Sequence, residues 1–193
     1  METSRILSAA FASATPYSDH LATGTPAQQD AWRQIFDRSH LTDDQRRLVA
    51  GFSREMHVLV ISGVWCGDCA QQCPLLQRIA EASPDRIKLR FIARAAGAPQ
   101  PDLGLPLRIN GGDRVPVVIF LAEDDEFVSI YGDRTLSRYR ALAARQLGPA
   151  CPLPGAPIPD DEIAATLQDW LNEFERVQLL LRLSGRLRQK YGD

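Results

Sequence analysis

The sequence predicts an α/β protein built on a mixed four-stranded sheet, flanked by helices and extended by helical segments at both ends. Three observations carry that expectation. Residues 58–61 (Val-Leu-Val-Ile) and 117–121 (Val-Val-Ile-Phe-Leu) are short, unbroken apolar runs rich in β-branched residues, as in strands buried on both faces. The elements read β-α-β, a long loop, then β-β-α. Helix start signals dominate the first fifty residues and reappear after a proline-rich stretch near residue 150.

In chain order, residues 1–24 are rich in Ala, Ser and Thr and read as a loose or weakly helical lead. Thr25-Pro26 opens a helix, because proline is pre-organised for the first helical position, and Trp32, Ile35 and Phe36 share one face. Thr42-Asp43-Asp44-Gln45 has capping-box spacing and starts a second helix, with Leu48, Val49 and Phe52 turned inward. The strand at 58–61 follows, then a helical pattern over 66–82 that stops before Pro84. Ile87, Leu89 and Phe91 alternate as a second strand. Seven Gly and Pro residues punctuate 93–112, which reads as a loop. Residues 117–121 and 127–131 form a hairpin around the acidic turn 123–126, and a helix covers 134–147. Five prolines between 149 and 159 make a semi-rigid connector. Asp160 is the expected N-cap of a last helix, with Ile163, Leu167, Trp170, Leu171, Phe174, Val177 and Leu181 on one stripe. The expected organisation is a helical N-terminal extension (1–53), a core (54–148), then the connector and an amphipathic helix packed on that core (149–193).

Composition bounds the function. A chain of 193 residues suits one domain with additions and can bury a core without disulfide staples. The balance of 22 Lys and Arg against 24 Asp and Glu gives a net charge of −2, which argues against a nucleic-acid partner. No apolar run approaches the roughly 18 residues of a membrane span. The apolar stretch 6–11 is short for a secretory leader and is broken by Ser8, so a cytoplasmic location is expected.

Chemistry concentrates in Trp65-Cys66-Gly67-Asp68-Cys69, which follows the buried strand and opens a helix. Unpaired N–H groups and the dipole at a helix start favour a thiolate on the first cysteine. The second cysteine, one turn on, can close a small disulfide ring. Cys66 is therefore the expected nucleophile and Cys69 the resolver of a mixed disulfide. Gly67 is expected to keep the turn compact and leave room for a substrate backbone.

This motif resembles the thioredoxin family, and the likeness extends beyond it. Pro74 stands eight residues after Cys66, Val115-Pro116 precedes a central strand, and Gly132 lies late in the next one. The resemblance spans roughly 54–147 and implies a thioredoxin-like mixed sheet, thiol–disulfide exchange and no bound cofactor. It implies a cis Val115–Pro116 bond facing the dithiol, a Val115 backbone that pairs with an extended substrate, and Trp65 as a wall beside the cysteines. Substrates would be disulfides of proteins or small molecules, with an external thiol or reductase supplying electrons. Two departures stand out. Val60 occupies the place of the buried aspartate six residues before the first cysteine, and Asp68 replaces the usual proline between the cysteines. A carboxylate at position 68 should disfavour the Cys66 thiolate and make the dithiol more reducing, which points to a reductase. The family's opening strand is missing, hence four strands.

Two other readings compete. A binding module of the adaptor or chaperone kind could use the Val115-Pro116 groove without turnover. Alternatively, Cys66, Cys69, Cys73 and Cys151 could ligate a metal, although structural zinc sites favour two short paired spacings; no metal is expected here. Cys73, about 10 Å along the helix from Cys66, is too distant for a disulfide with it and reads as a small core residue. Cys151 reads as inert, and His20, His40 and His57 as structural or surface residues. The basic segment 176–193 is expected to pack its leucines on the core rather than meet a membrane or an acidic partner.

Overall fold

A computed structural model describes residues 2–147 and 161–192. The sheet has four strands, β1 (Met56–Ser62), β2 (Ile87–Ala93), β3 (Val117–Ala122) and β4 (Phe127–Gly132), in the order β2-β1-β3-β4. β1 pairs parallel to β2 and antiparallel to β3, and β3 and β4 form the hairpin. The fold is thus the mixed sheet flanked by helices that the sequence implies. Both central strands are apolar along nearly their whole length because both faces are covered.

The N-terminal lead differs from expectation. It is two ordered helices, α1 (Glu2–Ser13) and α2 (Tyr17–Ala22). Leu7 and Phe11, one turn apart, put a buried stripe on α1 that outweighs its weak composition. α1 covers one sheet face: Phe11 stacks on His57 of β1 at 4.4 Å, and Ser8 donates to Asp125 at 2.6 Å. Leu103 and Leu107, from the long loop after β2, are buried as well.

The opposite face carries α2, α3 (Pro26–Arg38), α5 (Gly67–Glu81) and α7 (Glu162–Leu183), while α4 (Asp43–Ala50) leads into β1. Thr25 and Thr42 each close the full capping box at the starts of α3 and α4. Trp32 is fully buried and donates from Nε1 to the Val64 carbonyl, which pins the segment just before the dithiol. α6 (Leu136–Leu147) starts two residues later than expected, so Arg134 lies in the turn that precedes it. On the last long helix, Trp170, Phe174, Val177 and Leu181 are buried, with Phe174 edge-on to Phe120 at 5.2 Å. Its N-cap is Asp161, whose carboxylate accepts from the Ala164 N–H, rather than Asp160. The helix does not run through the basic segment. Ser184 ends it and caps α8 (Gly185–Tyr191), whose Leu187 is buried and whose Arg186 and Lys190 pair with Asp124. The proline-rich connector, Cys151 and Asp160 lie outside the described residues.

His20 is buried at 1 % exposure, stacked on Phe91 at 5.0 Å, with Nε2 3.1 Å from Ser62 Oγ. Burial lowers its pKa from 6.5 to about 4, so the folded chain keeps the ring neutral. A group whose folded pKa lies below its unfolded value adds stability above the unfolded value and loses it as pH falls toward the folded one. The unfolding free energy should therefore drop by about 2–3 kcal/mol between pH 7 and pH 4.5 from this residue. Denaturant unfolding at the two pH values checks this, since His20→Gln should lose correspondingly less.

Candidate functional site

β1 ends at Ser62, and Gly63 and Val64 carry the chain to the dithiol. Gly63 is required by contact: a Cβ there would come within 2.3 Å of Trp65 Nε1. Its absence lets the indole fold back, donate to the Arg94 carbonyl at 2.8 Å and lie beneath the Arg94 guanidinium, 5.5 Å away. Trp65 remains 41 % exposed and forms a rim beside the cysteines.

Cys66 occupies the N-cap of α5 and is half-buried; Cys69, in the first turn, is fully buried. Both are free thiols in contact with each other. Cys66 Sγ donates to the Val115 carbonyl at 3.7 Å. The chain thus brings together Cys66, Cys69 and the Val115-Pro116 segment, which are 49 residues apart. The Val115–Pro116 peptide bond is cis, and both residues are buried.

The site departs from the sequence reading in three ways. Contact with the Cys69 thiol, then burial, pushes the Cys66 thiol up, and this outweighs the backbone N–H groups of Cys69 and Asp68 that pull it down. Burial pushes Cys69 up too, although a hydrogen bond with Cys66 works the other way. The helix start favours the thiolate, but the paired and partly dry setting wins, and the resting pair is a dithiol. Next, the Asp68 carboxylate does not face the cysteines as a bare charge. It accepts from Arg134 Nε at 2.8 Å and from Arg138 Nη2 at 3.0 Å. Lastly, an added Cβ at Gly67 would meet nothing within 4 Å, so compactness of the turn does not require glycine. What Gly67 provides is open space beside Cys66.

Sequence reading missed the group that holds this corner. Arg134 bridges Asp68 and Asp133, and Arg138 bridges Asp68 and Glu162. Burial opposes ionisation of Asp133, yet hydrogen bonds from Tyr139 and Arg114 hold its carboxyl below the ordinary range. Buried Gln72 donates to the Asp133 carbonyl at 2.8 Å and accepts from the Thr135 N–H at 3.2 Å, tying α5 to the turn after β4. No short-range pattern marks these residues, because Asp133, Arg134, Thr135 and Arg138 each lie more than sixty positions from the α5 residue they meet. Among the described residues, no group of three or more His, Cys, Asp or Glu is placed to hold a metal ion. None of the described helices is long and apolar enough to cross a membrane.

Comparison with known proteins agrees with this architecture. Two solved structures share the fold. One is a protein of unknown function from Pseudomonas aeruginosa, with a TM-score of 0.64 and 19 % identity, covering 87 % of this chain and 93 % of that one. The other is an HIV epitope-scaffold, with a TM-score of 0.62 and 18 % identity, covering 92 % and 98 % respectively. No curated protein matches the sequence. A family model described as Thioredoxin matches residues 14–142, which takes in the whole sheet, α5 and the Cys66–Cys69 pair. The chain belongs to the thioredoxin family.

Proposed function

We propose that the chain is a thiol–disulfide oxidoreductase that works as a disulfide reductase through Cys66 and Cys69. The observation that carries this reading is the pair itself: a half-exposed thiol at a helix start, open on the Gly67 side, backed by a buried thiol in contact with it. Cys66, once deprotonated, attacks one sulfur of a substrate disulfide R–S–S–R′. The Cys66–S–R bond forms, the S–S bond breaks, and R′–S⁻ leaves with the electron pair. Cys69 then attacks Cys66 Sγ, closes the Cys66–Cys69 disulfide and expels R–S⁻. The two leaving thiolates take up two protons, equal to the two given up by the cysteines. An external thiol or reductase restores the dithiol. The Val115 carbonyl, now bonded to the Cys66 thiol, becomes free to accept from an extended substrate when that thiol reacts. We place this cycle in the cytoplasm, whose reducing poise keeps such a pair supplied with electrons.

Reducing character follows from the raised thiols, since a dithiol that disfavours its thiolate gives up electrons more readily. Titration against glutathione or dithiothreitol buffers should give a reduction potential below about −240 mV. A value well above that would make the chain an oxidant instead. The Cys69→Ser variant should hold substrates as mixed disulfides on Cys66, visible as adducts that reductant releases. Absence of adducts, together with no disulfide turnover by the native chain, would return the chain to the class of binding modules.

A further inference from the structure

Open α/β sheets bind ligands beyond the carboxyl ends of their parallel strands. β1 and β2 end there together, with Ser62 paired to Ala93, so Arg94 lies beside the segment that leads to the dithiol. Its N–H donates to the Ser62 carbonyl at 2.8 Å, and its own carbonyl holds Trp65 Nε1. Its guanidinium lies 5.5 Å from the centre of the Trp65 ring.

Three arginines are buried among the described residues, Arg54, Arg94 and Arg138. Burying a guanidinium costs free energy unless a carboxylate offsets it. Arg54 meets Glu123 at 2.6 Å, and Arg138 meets both Asp68 and Glu162. Arg94, at 8 % exposure, meets no carboxylate among the described residues. The two acids of the loop that follows it, Asp102 and Asp113, turn to the Gly104 N–H and to Arg108 instead. Arg94 Nη1 donates to the Ala98 carbonyl. Nε is buried without a hydrogen-bond partner, and Nη2, which is not enclosed, has none either. These two nitrogens form one edge of the guanidinium, the edge with which Arg134 grips both oxygens of Asp68. The Trp65 face offsets part of the charge but supplies no acceptor for that edge. Around Asp68, four arginines share Asp68, Asp133 and Glu162, so that cluster also carries an excess of positive charge. The whole chain stands at −2, which makes the positive rim a local feature of the dithiol.

We propose that Arg94 is a specificity-determining residue that takes a carboxylate of the substrate, so that the disulfides preferred at Cys66 carry an acidic group a few bonds from the sulfur. The inference deepens the dithiol reading above and rests on it. The exchange at Cys66 and Cys69 is unchanged. Through Nη2 the guanidinium gains the counter-charge that its burial lacks, and the contact holds the substrate beside Trp65, next in the chain to Cys66. The same charge turns cationic disulfides away. Lysine at this position would keep the charge but not the planar fork.

Oxidation of the reduced chain by three small disulfides, in a Cys151→Ser background, tests this. They are 3,3′-dithiodipropionate, which is anionic, bis(2-hydroxyethyl) disulfide, which is neutral, and cystamine, which is cationic. Each second-order rate is divided by that of the same disulfide with dithiothreitol, which removes differences in intrinsic reactivity. The native chain should then favour dithiodipropionate over the neutral compound at least about tenfold and disfavour cystamine. Added salt should narrow that preference. Arg94→Met, which keeps an apolar stem on Trp65, should slow dithiodipropionate at least about tenfold and leave the neutral disulfide within twofold. Arg94→Lys should retain part of the preference. A peptide disulfide with Glu beside its cysteine, set against its Gln counterpart, extends the series. Preference for the Glu peptide alone would place the carboxylate on protein substrates, and preference for dithiodipropionate alone on small ones. No preference in either series would overturn the proposal, and this needs no substitution. Equal slowing of all three small disulfides in Arg94→Met would assign Arg94 to packing and likewise overturn it, with the dithiol chemistry intact. If none of the disulfides oxidises the native chain, the function proposed for Cys66 fails and the role of Arg94 falls with it.

Discussion

In the Cys66→Ser variant, reduction of insulin and of small aromatic disulfides falls to the uncatalysed background, a loss of at least about 1000-fold. The size follows from covalent catalysis: every electron reaching the substrate passes through the Cys66 sulfur, and a serine hydroxyl forms no mixed disulfide. The fold should be indifferent to the change. Cys66 is half-buried at an N-cap, a position serine suits, and its side-chain hydrogen bonds, to the Val115 carbonyl and with Cys69, are ones that a hydroxyl can make. The unfolding free energy should move by less than about 1 kcal/mol. A large loss of stability alongside the loss of turnover would instead mean that the thiol is structural. Turnover surviving the substitution would move the nucleophile elsewhere.

The Gly132→Ala variant should lose about 3–5 kcal/mol of stability and, with it, the shape of the groove. Gly132 has φ of +154°, and a Cβ would lie 2.5 Å from the Pro116 carbonyl oxygen and 3.2 Å from Val117 Cα. Both obstacles are backbone, so no side chain can swing aside. Overpacking of this kind costs about 1–3 kcal/mol, and forcing an L-residue into that conformation a similar amount. The melting temperature should fall by roughly 10 °C. Since Pro116 adjoins Val115, whose carbonyl meets Cys66, any relaxation displaces the substrate-facing backbone. Turnover measured well below the new melting point should therefore fall more than the folded fraction does. A variant as stable and active as the native chain would show that β3 and β4 can part at no cost.

How much of this could be read in the sequence depends on the range of the interaction. Strands that alternate or run apolar, helices opened by Thr25 and Thr42, and the hairpin at 123–126 are written in consecutive residues, and they stand where expected. The firm order of the first two helices, in a lead that reads as loose or weakly helical, was hidden because their stabilising contacts, Phe11 on His57 and Tyr17 on Phe91, are with β-strands more than forty residues away. At the site, the Cys66–Cys69 spacing names the atoms of the proposed exchange, and its local signal is strong. The sign of the Asp68 effect could not be read the same way. A carboxylate beside a thiol raises it when unpaired, but here Arg134 and Arg138 compensate the charge.

The sequence by itself determined the class of fold, the order of the sheet's strands with the helices between them, and the two sulfur atoms on which the proposed chemistry rests. Each of these rests on neighbours along the chain: side-chain periodicity, caps and a one-turn cysteine spacing. Only the tertiary structure decided what surrounds those sulfurs. It set Val115 against Cys66 and clamped Asp68 between two arginines. The physical reason is that desolvation and charge pairing act through space. Their strength depends on which distant side chains the packed core brings within a few ångströms, and no local pattern records that.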